Sequence, residues 1–133
     1  MTAAAAALVA ANEPLWARIT GHPFVLAAGD GTLPPAAFDR WLVADHYFVV
    51  GFRRFLARLL ETAPDEDARD LLAGGLAALT PELQLFRRAA AERALDLDAE
   101  PGPTTLGYTA FVQAAPADGF PVGLTVLYGA ERA

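Results

Sequence analysis

The sequence contains no cysteine, no serine and no lysine among its 133 residues. Without cysteine these residues cannot form disulfides, thiolate metal sites or a cysteine nucleophile, and without serine they cannot form a Ser–His–Asp arrangement. The 10 basic residues, all arginine, face 16 acidic ones, so the formal net charge is −6. Binding to phosphates or to an anionic bilayer needs a basic surface, so neither nucleic acid nor a membrane is an expected partner.

Long apolar runs are equally scarce, since none approaches the roughly 18 residues that span a bilayer. Residues 3–11 are apolar and end in small side chains, but no basic residue precedes them as in a signal peptide. We therefore predict a cytoplasmic location. The composition, 54% hydrophobic and 20% charged, excludes intrinsic disorder. A chain of this length forms one domain with a real core, or part of a larger one.

Histidine is nearly absent, because only His22 and His46 are present. Neither belongs to a Glu-x-x-His or His-x-x-x-His spacing, which metal sites on helices use. Asp45 and His46 are adjacent, so on a helix their side chains point about 100° apart and do not normally share a metal. We predict no metal and no cofactor.

Apolar residues recur at helical spacing, and no strand alternation or hairpin is evident, so the sequence predicts an all-α fold. The longest helix is predicted from Pro35 to Thr62, with an apolar stripe along one face. A new cap or a kink is predicted at Thr80–Glu82, because proline there lacks an N–H. The predicted helices cover 2–20, 22–28, 35–62, about 65–95, 104–115 and 120 onward, and the last has no stop signal.

Asp45 lies in the middle of the aromatic stripe of the longest helix, with Trp41 four residues before it and Phe48 three after. Burying an unpaired carboxylate costs several kcal/mol, so the group must find a donor or take up a proton. Spacing alone favours an ordinary pair with an arginine or a backbone donor. The alternative is an anchor for a flat, nitrogen-rich heterocycle.

Other candidate site residues also lie beside apolar stripes. Aromatic residues at helical spacing are more often core than site, but they can supply ring faces and a hydroxyl. Glu82 is either a carboxylate at the start of a helix or an acidic residue of the site. Its position after proline favours the helix start. Glu131 is either buried or a solvated acid in an i,i+4 pair. The aromatic candidates are Tyr47, Phe48, Tyr108 and Phe111.

Several short motifs occur in an order and spacing that resemble the TenA family, also called thiaminase II. They are His22-Pro23-Phe24, Gly31-Thr32-Leu33-Pro34, Asp45-His46-Tyr47-Phe48, Pro81-Glu82-Leu83 and the segment Thr105 to Val112. The resemblance covers essentially the whole chain, but the family domain continues past residue 133. We therefore interpret residues 1–133 as a single TenA-like helical domain that is incomplete at its C-terminal end.

The resemblance implies the N-terminal part of a heme-oxygenase-like helical bundle that forms a homo-oligomer. It implies an aminopyrimidine aminohydrolase or thiaminase II-like hydrolase of thiamin salvage, acting on an amino- or amidomethyl-pyrimidine. It also implies that Asp45 binds the pyrimidine ring. The ligand-anchor interpretation of Asp45 is thereby favoured over the ordinary pair that spacing alone favours. The substrate-binding residues expected beside it are Tyr47, Phe48, Glu82, Tyr108 and Phe111.

The chain departs from the family pattern where the nucleophilic cysteine would fall, near Gly129 to Glu131. A cysteine-less subgroup uses a glutamate instead, and Glu131 is its counterpart, so Asp45 and Glu131 are the predicted catalytic residues. Two alternatives remain. One is a non-catalytic ligand-binding or regulatory module on the same scaffold. The other is an oxidase of the PqqC type or a metal oxidase, against which the low histidine count argues.

Overall fold

The computed structural model describes residues 2–132, and this part of the chain is all-α, as predicted. A 3₁₀ turn, Ala115–Asp118, separates the last two of seven α-helices within these residues. The helices are α1 (Ala3–Ala11), α2 (Glu13–Thr20), α3 (Pro23–Gly29), α4 (Pro35–Glu61), α5 (Glu66–Glu92), α6 (Pro103–Ala114) and α7 (Phe120–Arg132).

The prediction of one helix over 2–20 is wrong, because the helix ends at Asn12 and a second one starts after it. Asn12 leaves the helical conformation, with φ −119° and ψ 16°, and its side-chain Nδ2 donates to the carbonyl of Leu8 at 2.8 Å. Pro14 has no N–H to continue the backbone ladder. The apolar spacing runs across this break, so it could not reveal the break.

The predicted bounds of the longest helix are confirmed to within a residue, since α4 is Pro35–Glu61. Asp65 then caps α5 by accepting a hydrogen bond from the Ala68 N–H at 2.8 Å. The predicted new cap at Thr80–Glu82 is wrong, because α5 continues through Pro81. Pro81 and Ala77 are both exposed, so water can hydrate the carbonyl that proline leaves without a donor.

The C-terminal end of α5 comes earlier than the predicted position near Leu95. Ala94 adopts a left-handed conformation with φ 54°, and the N–H of Leu95 donates back to the carbonyl of Ala90 at 2.9 Å. This bond closes the helix end and satisfies a carbonyl that the helix itself leaves free.

The hydrophobic core lies where α4 packs between α5 and α6, and α7 packs against the 3₁₀ turn and α4. Phe55 and Leu59 of α4 have no exposed surface at all. Gly51 lets α6 approach closely, since a Cβ there would lie 2.4 Å from Cγ2 of Thr109. Helices α1, α2 and α3 contribute no buried residue. No helix within residues 2–132 is long and apolar enough to cross a membrane.

Ring contacts link α2 and α3 to the rest of the molecule. Phe24 of α3 lies with its ring centroid 6.2 Å from that of Trp41 on α4. Arg132, at the end of α7, holds its guanidinium 5.3 Å from the ring centroid of Trp16 on α2. These contacts bring both ends of the described chain to the side of the bundle where the N-terminal half of α4 lies.

Candidate functional site

A cavity of about 290 Å³ opens beside the N-terminal half of α4, which provides four of its lining residues, while α6 provides two and α7 one. We call it the Asp45 cavity. Because residues one helical turn apart share a face, α4 presents Trp41 and Phe48 on either side of the carboxylate. Its lining residues are Trp41, Ala44, Asp45, Phe48, Thr105, Tyr108 and Ala130.

Asp45 is the one acidic residue among the described lining residues of this cavity, and its pKa is raised from 3.8 to about 6. Burial is the larger cause, and the negative charge of Glu82 adds to it. Within residues 2–132, no arginine and no backbone N–H donates a hydrogen bond to this carboxylate. The ordinary ion pair that the spacing favours is therefore not formed among the described residues.

Aromatic rings form one wall of the cavity. Phe48 of α4 and Tyr108 of α6 stack with centroids 5.2 Å apart and planes 12° from parallel. Phe52 extends the stack toward the core at 5.4 Å from Phe48. Burial raises the pKa of the Tyr108 hydroxyl, which keeps it a neutral hydrogen-bond donor and acceptor.

Glu82 lies in the middle of α5, so its interpretation as a helix-start carboxylate is wrong. Its charge raises the pKa of Asp45, which means that the two carboxylates interact across the α4–α5 interface. Glu82 itself lines a different depression, on the other side of Trp41.

The structure brings three predicted site residues together at the cavity, Asp45, Phe48 and Tyr108. The other predicted residues lie outside its lining within the described chain. Tyr47 is 37% exposed and Phe111 is 59% exposed. Glu131 is exposed on the last turn of α7, directly after Ala130, which does line the cavity.

Four further residues line the cavity, although they were not predicted to be site residues: Trp41, Ala44, Thr105 and Ala130. Trp41 has a signal in the sequence, because it precedes Asp45 by four residues on the same helix. Thr105 and Ala130 have no such local signal, since they come from α6 and α7.

His46 lies on another face of α4, with its ring centroid 6.0 Å from that of Phe86. Neither ring nitrogen has a hydrogen-bond partner in the described structure, and both are buried. Burial lowers the pKa of His46, Arg87 lowers it further, and Asp98 opposes both. Within residues 2–132, no three His, Asp or Glu side chains are grouped as they would be around a metal ion.

Comparison with known proteins gives one family. The profile of the TENA/THI-4/PQQC family matches residues 9–119. The chain is 33% identical over 115 residues to an aminopyrimidine aminohydrolase of Halalkalibacterium halodurans, a match that covers 81% of this chain and 50% of that protein. It is 29% identical over 119 residues to a probable bifunctional TENA-E protein of Glycine max, a match that covers 84% of this chain and 52% of that protein.

The fold agrees with the sequence comparison. The solved structure of a TenA homologue from Pyrococcus furiosus superposes with a TM-score of 0.78 at 29% identity, over 84% of this chain and 54% of that one. The bundle is therefore of the heme-oxygenase-like type that the resemblance implies. The chain spans about half the length of the curated relatives that it matches.

Proposed function

We propose, from the premise that this chain belongs to the TENA/THI-4/PQQC family, that its Asp45 cavity binds an aminopyrimidine of thiamin salvage for hydrolysis. One observation carries the proposal: a carboxylate that has no hydrogen-bond donor within residues 2–132 lies among aromatic rings in a cavity of about 290 Å³. A relative of known activity, the aminopyrimidine aminohydrolase, supports the same substrate class.

Asp45 recognises the ring by charge and hydrogen bonding. Its carboxylate accepts a hydrogen bond from the exocyclic amine or from a protonated ring nitrogen. With a pKa of about 6, Asp45 is mostly ionised at neutral pH, and its negative charge favours the protonated form of the ring. The protonated ring is electron-poor, which favours attack by water.

The aromatic wall positions the ring. The stacked Phe48 and Tyr108 present a flat face, and Trp41 lies on the other side of Asp45 along α4. Stacking of this kind contributes about 1 kcal/mol per ring pair. Placement between these walls aligns the substrate with the carboxylate and excludes water from the hydrogen bond.

Glu131 is the proposed group for proton transfer. It assists a water molecule whose oxygen bonds to the carbon that carries the leaving nitrogen, while the C–N bond breaks and ammonia departs with the transferred proton. It follows Ala130, a lining residue of the cavity, on α7, and this nearness along the chain supports the role. Substrate contacts by Tyr47, Glu82 and Phe111, a homo-oligomeric state and a cytoplasmic location stay predictions.

The experiment is a calorimetric titration with 4-amino-5-aminomethyl-2-methylpyrimidine, with ammonia measured in the same cell. Wild type is expected to bind and to release ammonia, whereas Asp45→Asn loses binding because the amide cannot hold the ring's proton. Asp39→Asn is the matched control: it lies on the same helix, but its partner is Arg93. Equal binding by wild type and Asp45→Asn overturns the assignment of Asp45.

A non-catalytic ligand-binding module is the second candidate. It is favoured by the exposed position of Glu131 on α7. Binding without ammonia release, unchanged by Glu131→Gln, is the result expected of such a module. Loss of ammonia release in Glu131→Gln, with binding retained, is expected of the enzyme.

A further inference from the structure

A second depression lies between α4 and α5, separated from the Asp45 cavity by Trp41, which lines both. We call it the α4–α5 recess. Its volume is about 270 Å³, enough for one or two fused rings. Glu82 is the sole charged residue among its described lining residues. They are Phe38, Trp41, Leu42, Glu82, Leu85, Phe86 and Ala89.

The aromatic residues of the recess form adjoining walls that meet at an angle. The Trp41 ring lies 5.4 Å from that of Phe38 and 6.1 Å from that of Phe86, with planes tilted by 44° and 41°. Trp41 is 38% exposed and Leu85 is 58% exposed, so a molecule in solution can reach both. A planar group fits such walls better than a branched one, because each ring offers a flat face.

The recess favours a positive charge. Glu82 is exposed beside the recess, so its negative charge repels an anion and attracts a cation. A cation is attracted to the ring faces as well. The protein already uses one of these rings in this way, since the Arg93 guanidinium lies 4.6 Å from the centroid of Phe38 while it donates to Asp39.

From these contacts we propose that the α4–α5 recess is a binding site for a planar aromatic cation, which lies against the exposed side of the Trp41 and Phe86 rings beside the charge of Glu82. The site is separate from the Asp45 cavity and does not rest on the function proposed for it. The two sites share Trp41 and the field of Glu82, so occupancy of the recess is expected to influence Asp45.

The test uses N-methylquinolinium chloride and 4-methylquinoline, which are similar in shape and differ in charge at mildly alkaline pH. Binding is followed by the NMR shift of the Trp41 indole N–H in a Trp16→Phe background, since the chain has 2 tryptophans. The cation is expected to bind about fivefold more tightly than the neutral ring, the size of a partly exposed cation–π and charge contribution.

Three variants assign the binding to the recess. Leu85→Arg places a positive charge in it and is expected to abolish cation binding. Leu71→Arg is the matched control, since Leu71 lies on the same helix, is 72% exposed and is outside the recess lining. Glu82→Gln is expected to remove the preference for the cation while it leaves the affinity for 4-methylquinoline unchanged.

The proposal is overturned by equal affinities for the two probes, by cation binding that survives Leu85→Arg, or by no saturable shift of Trp41. None of these results bears on pyrimidine binding by Asp45. The calorimetric titration described above therefore succeeds or fails independently.

Discussion

The two halves of α4 carry the same kind of apolar stripe but pack differently. In the C-terminal half, Val49, Phe52 and Phe55 are each at most 5% exposed. In the N-terminal half, Phe38 and Phe48 are only partly buried and Trp41 is 38% exposed. The N-terminal half also carries the titratable groups whose pKa values are shifted by burial, Asp45 and His46.

The difference comes from what covers each half. Both halves contact α5 and α6, but in the C-terminal half Gly51 lies close to Thr109 of α6 and Gly123 of α7 meets Leu59. The N-terminal half borders the Asp45 cavity and the α4–α5 recess as well. An aromatic side chain in such a stripe is thus a core residue or a site residue according to its neighbours, which helical spacing alone does not reveal.

The largest expected effect is at Phe55, which is fully buried. Phe55→Ala should lower the free energy of unfolding by about 4 kcal/mol, because it removes a buried ring and leaves a cavity. Trp41→Ala, in the other half of the same helix, should cost about 2 kcal/mol or less, because that ring is partly in water already. Chemical denaturation measures both values. Equal losses would contradict the division of α4 into a core half, at its C-terminal end, and a site half, at its N-terminal end.

The next effect is expected at Gly51, where the core half meets α6. A methyl group in Gly51→Ala would lie 2.4 Å from Cγ2 of Thr109 and 2.7 Å from Nε2 of Gln113. Gln113 can move, but Thr109 is buried and β-branched, so the helices must separate at a cost of about 2 kcal/mol. Thermal and denaturant unfolding give the value.

Gly74→Ala is the matched control, because a Cβ at Gly74 meets nothing within 4 Å. Alanine has a higher helix propensity than glycine, so the free energy of unfolding of this variant is expected to rise by up to about 1 kcal/mol. If both alanine variants were stabilised, α6 would not be in close contact with α4 at this point.

Much of the fold could be predicted from the sequence, because apolar spacing, proline and capping residues act locally. The bounds of α4 and the acidic start of α5 are examples. The break at Asn12 had a local signal in Pro14, but the apolar spacing runs across it. The early end of α5 had no such signal, because it depends on the left-handed backbone conformation of Ala94.

The candidate site was predictable only in part. Asp45 could be selected because a carboxylate in an aromatic stripe is costly, and the family resemblance added Phe48 and Tyr108. The action of Glu82 on Asp45 depends on how α4 and α5 pack, so its sequence position after Pro81 pointed instead to a helix start. Likewise, the position of Glu131 on α7 relative to the cavity depends on packing rather than spacing.

The smallest expected effect is the pH dependence of stability caused by Asp45. Its pKa is raised from 3.8 to about 6 in the folded protein, so between these values the folded state binds more protons than the unfolded state. Stability from this group is therefore greatest below pH 3.8 and falls as pH rises toward about 6. The free energy of unfolding should change by about 1–2 kcal/mol across this range. This is less than the full pKa shift implies, because water screens the partly exposed side chain.

His46 acts in the opposite direction, since its lowered pKa makes the folded protein less stable as pH falls below the ordinary histidine value of 6.5. The wild-type curve contains both effects, but the difference between wild type and Asp45→Asn isolates the aspartate. That difference, wild type minus Asp45→Asn, should be largest at low pH and decrease as pH rises toward about 6. A pH-independent difference for Asp45→Asn would mean that its carboxylate is solvated like any surface aspartate, and the site half of α4 would lose its distinguishing chemistry.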